Sequence, residues 1–211
     1  MNSLHKEVFI CLDCEATGLD FDNDAIVEIA AVKFTLDEVL ESYETLIDPC
    51  QVIPETTIKI HGITNEMVQG KPKIKEILPA FLKFIEGHII IGHGIKFDIE
   101  MLSKAAKKNQ IQCNIEKQAT IDTLRLARLY GQTAANSLEV LRSHFNIQTD
   151  GAHRAMNDVV VNIEVFKHLT KDFKTTKALL ERLQKPIAMK AMPLGKYKGR
   201  LFKDIPTDYL A

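Results

Sequence analysis

Three things are scarce in this chain of 211 residues: cysteine, long apolar runs and net charge. The four cysteines (Cys11, Cys14, Cys50 and Cys113) form no paired framework. Cys11 and Cys14 read C-x-x-C, but they sit in an apolar, strand-like run with no second pair. That context argues against zinc or redox chemistry and for buried free thiols in a reducing cytoplasm. No apolar stretch approaches the roughly 18–20 residues needed to cross a bilayer, so no membrane partner is expected. The opening, MNSLHKEVFICLDCE, runs straight into charged sequence, which argues against a secretory leader and for a cytoplasmic location.

Charge is nearly balanced, with 27 Lys+Arg against 28 Asp+Glu and a net charge of -1. The balance is uneven along the chain. Lys185, Lys190, Lys196, Lys198, Arg200 and Lys203 form a segment without an acid, and the remainder carries 21 bases against 28 acids. A uniformly basic nucleic-acid coat is therefore excluded, and any contact with a polyanion must be local. With 45% hydrophobic and 26% charged residues the chain can bury a core. Its length suits one large domain, or one domain with a short appendage.

The apolar run Val8–Leu12 ends in Asp13 and reads as a buried strand delivering a polar residue at its tip. Ala25–Phe34 and Val39–Ile47 read as two more strands, and Pro49 and Pro54 mark a loop. Helical spacing begins at Lys73, with Ile74, Ile77, Leu78, Phe81, Leu82 and Ile85 on one face, and Gly87 stops it. His88–Ile91 is another buried strand. Phe97–Lys108 reads as a helix with Met101, Leu102 and Ala105 inward. Helices follow over Thr123–Tyr130, over Ser137–Phe145 with Ser137 as cap, and over Arg154–Thr170. The last of these carries a stripe of Val159, Val160, Ile163, Phe166 and Leu169. Strands first, then alternating strand and helix, predict an α/β domain with a mixed sheet, ending near residue 172. A shorter helix over Thr175–Leu183 leads through a linker, 173–191, to the basic end at 192–211.

Four acids sit where such a sheet gathers side chains. Asp13 and Glu15 are two apart at a strand end, so both point to one side, and they repel unless a cation lies between them. Asp98 opens a helix after the His88–Ile91 strand. Asp158 lies in the first turns of the last long helix, five residues after His153. Taken singly, each has an ordinary explanation: a solvated turn, a helix N-terminal acid, a chance pair. Their joint order and spacing change that.

Asp13-Cys14-Glu15-Ala16-Thr17-Gly18-Leu19 resembles the D-x-E-T-T-G-L motif of the DnaQ-like (DEDDh) 3'-5' exonucleases. His93-Gly94-Ile95-Lys96-Phe97-Asp98 is similar to their H-N-x-x-F-D, and His153-Arg154-Ala155-Met156-Asn157-Asp158 to their H-R-A-x-x-D. His61-Gly62-Ile63-Thr64 resembles the H-G-I-T of proofreading subunits in that family. Ala16 departs from the family Thr, and Gly94 from the family Asn, which puts substrate positioning there in question. The resemblance implies an RNase H-like mixed sheet flanked by helices. It implies a metal-dependent hydrolase releasing nucleoside 5'-monophosphates from single-stranded or frayed DNA 3' ends.

It further implies two divalent cations, Mg²⁺ or Mn²⁺, for which an all-carboxylate site is suited. By resemblance Asp13 bridges both, Glu15 and Asp158 hold one, Asp98 supports the other, and His153 is the general base. Thr17, Gly18 and Leu19 would meet the terminal nucleotide, Ile63 and Phe97 would flank its base, and His61 would lie beside them. Core packing explains Ile63 and Phe97 equally well. His93 reads as structural.

Met192-Pro193-Leu194-Gly195-Lys196-Tyr197-Lys198-Gly199-Arg200 and the following P-x-x-Y-L resemble an appendage on exodeoxyribonuclease X-like proteins. That pattern ordinarily runs on to an aromatic, so its stop at Ala211 suggests a shortened end. Lys196, Lys198 and Arg200 would attract a DNA backbone without reading sequence, although a solvated linker would look similar. Two alternatives stand beside the DNA exonuclease: an exoribonuclease of the same fold, and a non-catalytic nucleic-acid or polymerase-binding module. A DNA polymerase or repair partner goes with the first.

Overall fold

A computed structural model describes residues 3–131, 133, 135–148, 154–186, 191–192 and 195–210. The strand predicted at Val8–Leu12 is β1, Phe9–Ala16, and it runs on past Asp13. β2 (Ile26–Phe34) and β3 (Val39–Leu46) follow as an antiparallel meander. α1 (Glu55–His61) and α2 (Asn65–Val68) follow the loop marked by Pro49 and Pro54, in a stretch where spacing predicts no element. Then come α3 (Ile74–Ile85), β4 (Ile89–Gly92), α4 (Lys96–Lys108), β5 (Thr120–Asp122), α5 (Thr123–Tyr130), α6 (Leu138–His144), α7 (Ala155–Thr170) and α8 (Thr176–Gln184). A short α9 (Thr207–Leu210) lies in the basic end. No helix among the described residues is long and apolar enough to cross a membrane.

The sheet order is β3-β2-β1-β4-β5, with β1, β4 and β5 parallel. β1 is central, so it must be apolar on both faces, and FICLDCEA is until Asp13. Alternation along β1 and β2 divides the core. Phe9, Cys11, Ala30, Val32 and Phe34 face α7, where Phe9 and Phe166 meet edge-on at 5.3 Å. Ile10, Leu12, Ile29 and Ala31 face α3 and α4, against Leu78, Phe81 and Leu102. A smaller cluster of Val27, Ile53, Ile63 and Val68 joins α1 and α2 to the sheet.

One inward residue was misassigned from spacing. Ala105 packs half-buried against the α4-side core, with Ala106 fully buried beside it, but Val160 on α7 is exposed while Val161 and Val165 are buried. α7 is covered on more than one side, so a single stripe understates its buried face. Packing also continues beyond residue 172. Leu179 of α8 lies in the α7-side core, and the Leu4 N–H donates to the Lys174 carbonyl at 3.1 Å. The core therefore reaches past the boundary read from the sequence.

Candidate active site

Period two decides where the first acids point. Asp13 and Glu15 continue the parity of Phe9 and Cys11, so both project towards α7 at the carboxyl end of β1. α7 brings Asp158 in its first turn, with the Asp158 N–H donating to the Arg154 carbonyl at 3.1 Å. One carboxylate oxygen from each of Asp13, Glu15 and Asp158 lies within 4.8 Å of the others, and all three residues are half-buried.

Asp98 arrives from the opposite face, because α4 packs on the α3 side of the sheet. Its Oδ1 accepts the Cys14 N–H at 2.9 Å, which pins it between the two strand acids. Asp98 is buried and stands outside the three-acid group. Four carboxylates thus meet around one strand tip, three from one side and one from the other.

They meet at a cost. Burial, followed by repulsion from Asp98, Glu15, Asp158 and Glu28, holds the Asp13 carboxyl well above the usual carboxylate range. Burial raises Glu15 to about 7, with Asp158, Glu28 and Asp98 adding to it and Arg154 pulling back. Burial also raises Asp98 to about 7, against the stabilising N–H groups of Asp98 and Cys14. Clustered oxygens that resist ionising together fit a hard divalent cation, whose charge removes the repulsion. The donor set therefore fits the metal chemistry that the motifs imply.

The other expected residues divide. His153 lies outside the described residues. Thr17 is buried, its N–H donates to the Ala25 carbonyl at 2.9 Å, and its hydroxyl donates to Asp24 Oδ1 at 2.8 Å. That hydroxyl also accepts from Gln51 Nε2 and the Ala25 N–H, so Thr17 has no donor left for substrate and instead ties the turn together. Gly18 is dictated by the same carboxylate: a Cβ there would sit 2.3 Å from Asp24 Oδ2. Leu19 is 81% exposed at the rim of this turn.

Ile63 is fully buried with Val27, Ile53 and Val68, which removes it from any base contact. Its backbone N–H donates to His61 Nδ1 at 3.0 Å, so a neutral His61 carries its proton on Nε2. That Nε2 is buried, and burial holds the imidazole below its usual value, against the backbone of Ala16 and the charge of Glu28. Phe97 is half-exposed and pairs with Phe21 at 5.5 Å, an aromatic neighbour that the spacing did not suggest.

His93 is structural, as expected: Nδ1 lies 3.0 Å from the Thr123 hydroxyl and Nε2 lies 2.8 Å from the Asn136 carbonyl. Gly94 adopts φ 79°, and its N–H donates to Asp122 Oδ1. Asn is among the few other residues that tolerate this left-handed conformation, so the departure from the family Asn preserves the backbone.

Glu28 was missed. It lies opposite Glu15 on β2, fully buried, and its carboxylate accepts from Arg154 and from the Ala155 N–H at 3.0 Å. A single acid inside the apolar run AIVEIAAV was the available signal. In the basic end, Lys196, Lys198 and Arg200 are exposed around Tyr197, which packs edge-on against Tyr209 at 4.7 Å.

A mixed five-stranded sheet that collects acids at the carboxyl end of its central strand defines an RNase H-like nuclease. The chain belongs to the exonuclease family whose model, RNase_T, described as "Exonuclease", matches residues 10–166. The DNA polymerase III epsilon subunit of Aquifex aeolicus is 35% identical over 166 residues, covering 78% of this chain and 81% of that protein. The PolC-type DNA polymerase III of Clostridium perfringens is 33% identical over 202 residues, 90% of this chain but only 14% of the polymerase. Among solved structures, exonuclease X in complex with 5' overhanging duplex DNA superimposes with a TM-score of 0.65 at 21% identity, covering 84% of this chain and 99% of that one. The Escherichia coli ExoI–ssDNA complex gives 0.72 at 18% identity, covering 83% and 42%. Residues 180–211 match a second family, described as "Putative quorum-sensing-regulated virulence factor".

Proposed function

We propose that this exonuclease trims DNA from the 3' end, releasing nucleoside 5'-monophosphates with the help of two divalent cations, Mg²⁺ or Mn²⁺. The observation that carries this reading is the meeting of Asp13, Glu15 and Asp158 within 4.8 Å at the end of β1, with Asp98 beside them. Bound there, such cations would neutralise the scissile phosphate, acidify water and stabilise the leaving 3'-oxygen. Asp13, Glu15 and Asp158 supply the clustered oxygens that hold them, and Asp98 supplies a carboxylate from the opposite face. His153, adjacent to Arg154 in sequence, accepts the proton of the attacking water, since an imidazole titrating near 6.5 is a competent base at neutral pH.

The terminal nucleotide is held by the chain itself. Gly18 and Leu19 offer backbone N–H groups to the 3'-hydroxyl, and the exposed Leu19 and half-exposed Phe97 offer apolar surface to the last base. Lys196, Lys198 and Arg200 form a second contact with the DNA backbone. The polymerase III relatives support DNA as the substrate and a polymerase or repair assembly as the partner.

Matched 3'-labelled DNA and RNA oligonucleotides, incubated with Mg²⁺ or Mn²⁺, test the reading, with Asp13→Ala and His153→Ala proteins as controls. Mononucleotide release from DNA by the wild type, and its loss in both variants, is expected. Equal release by all three proteins sinks the site assignment, and a strong preference for RNA sinks the substrate.

A further inference from the structure

We propose that Glu28 and Arg154 form a positioning clamp that sets Asp158 against Asp13 and Glu15, so that the three acids bind cations together. The inference rests on the cation-dependent reading above, but it concerns residues outside the acid set.

The clamp joins β2 to the start of α7. Arg154 Nε donates to Glu28 Oε1 at 3.2 Å and Oε2 at 3.1 Å, and Arg154 Nη2 donates to Oε1 as well. The Ala155 N–H adds a bond to Oε2 at 3.0 Å. Both the side chain before α7 and the first backbone amide of α7 are thereby tied to one carboxylate on the sheet. Asp158 is one helical turn further on, bonded to the Arg154 carbonyl. Glu28 is paired with Glu15 across the two strands, so the tie is made beside the acids that Asp158 must meet.

Fold stability alone is a poor reason for this arrangement. Like charges directly opposite on neighbouring strands are destabilising, and Glu28 adds to the repulsion felt by Asp13 and Glu15. An apolar pair of similar volume would fill the same space without that repulsion, and such replacements are often neutral or stabilising. What an apolar pair would lack is direction. A forked guanidinium–carboxylate contact fixes both separation and plane, whereas apolar surfaces slide. Arg154 also offsets part of the repulsion on Glu15. The clamp gains geometry at the expense of electrostatics, as expected for groups that support a metal site.

The test uses the full chain with Glu28→Gln and Arg154→Lys. Mn²⁺ binding is measured by titration calorimetry without DNA, kcat and KM on a single-stranded oligonucleotide, and folding by circular dichroism. Glu28→Gln should weaken Mn²⁺ binding by about 10–100-fold and lower kcat at limiting metal, with KM for DNA nearly unchanged. Arg154→Lys keeps the charge but loses the fork, and should move both quantities the same way. It also serves if the buried Glu28→Gln protein does not fold. Folded variants that bind Mn²⁺ as the wild type does would overturn the clamp. An inactive wild type would overturn the proposed reaction instead, while loss of Mn²⁺ affinity in the variants would still support the clamp.

Discussion

The acid site and the basic end hold opposite charges in opposite physical settings. Asp13, Glu15 and Asp98 are enclosed by the sheet and two helices, and repulsion is among the causes that raise Asp13 and Glu15. Lys196, Lys198 and Arg200 are exposed on a small turn, closed by Met192 and Arg200 backbone bonds and by the Tyr197–Tyr209 contact. Enclosed charges interact strongly and stand or fall together, while exposed ones are screened by salt and act almost independently. One region should therefore respond to substitution as a unit, and the other in small increments.

The largest effect is expected at Asp158. Asp158→Asn keeps the shape of the side chain and removes one of three clustered charges, so kcat should fall by about 10³-fold, the equivalent of several kcal/mol of transition-state stabilisation. Steady-state kinetics at saturating DNA would check this. If neutralising Lys196, Lys198 and Arg200 together cost more turnover than this single change, the contrast between the regions is wrong.

A middle-sized effect comes from protons competing with metal. Glu15, raised to about 7, holds its proton more tightly folded than unfolded, and Asp13 and Asp98 shift the same way. Their contribution to the stability of metal-free protein is complete below the unfolded values. For Glu15 and Asp98 it is lost as pH rises from the unfolded values through about 7, because the folded state must then surrender protons it favours. Added Mn²⁺ should reverse the loss, so the Mn²⁺-induced rise in Tm should grow between about pH 5 and pH 8. Each kcal/mol is worth roughly 2–4 °C for a chain of this size. A Tm rise independent of pH would mean that the cation binds elsewhere.

The enclosed region was also the more legible in sequence. Period two placed Asp13 and Glu15 on one face, and helix-start positions placed Asp98 and Asp158, because these depend on local repeats. The family likeness added His153. What stayed hidden depended on distant or short structure. α1 and α2 have seven and four residues, too few for a helical period to register, and Pro54, read as loop, is the extended residue just before α1. β5 has three residues and is defined by its partner, β4. Ile63 looked equally suited to core and substrate until α2 closed over it. The partner that explains Glu28 lies 126 positions away, and no local pattern carries that information.

The smallest effect, and the sharpest test of the contrast, belongs to the basic end. Replacing Lys196, Lys198 and Arg200 with Gln preserves length and much of the packing around Tyr197, whose ring lies 5.4 Å from Lys196 Nζ and 5.7 Å from Arg200 Cζ. If these cations touch phosphates, KM should rise modestly at low salt, while kcat holds because the acid site is untouched. The slope of log KM against log salt should become shallower by about 2, since each phosphate contact on a single strand contributes roughly 0.7. Single substitutions should each give about a third of that change, because exposed charges act almost independently. An unchanged slope in the triple variant would make residues 192–211 a solvated extension. A loss of kcat instead would mean that the basic end reaches into the acid site, and the two regions would have to be treated as one.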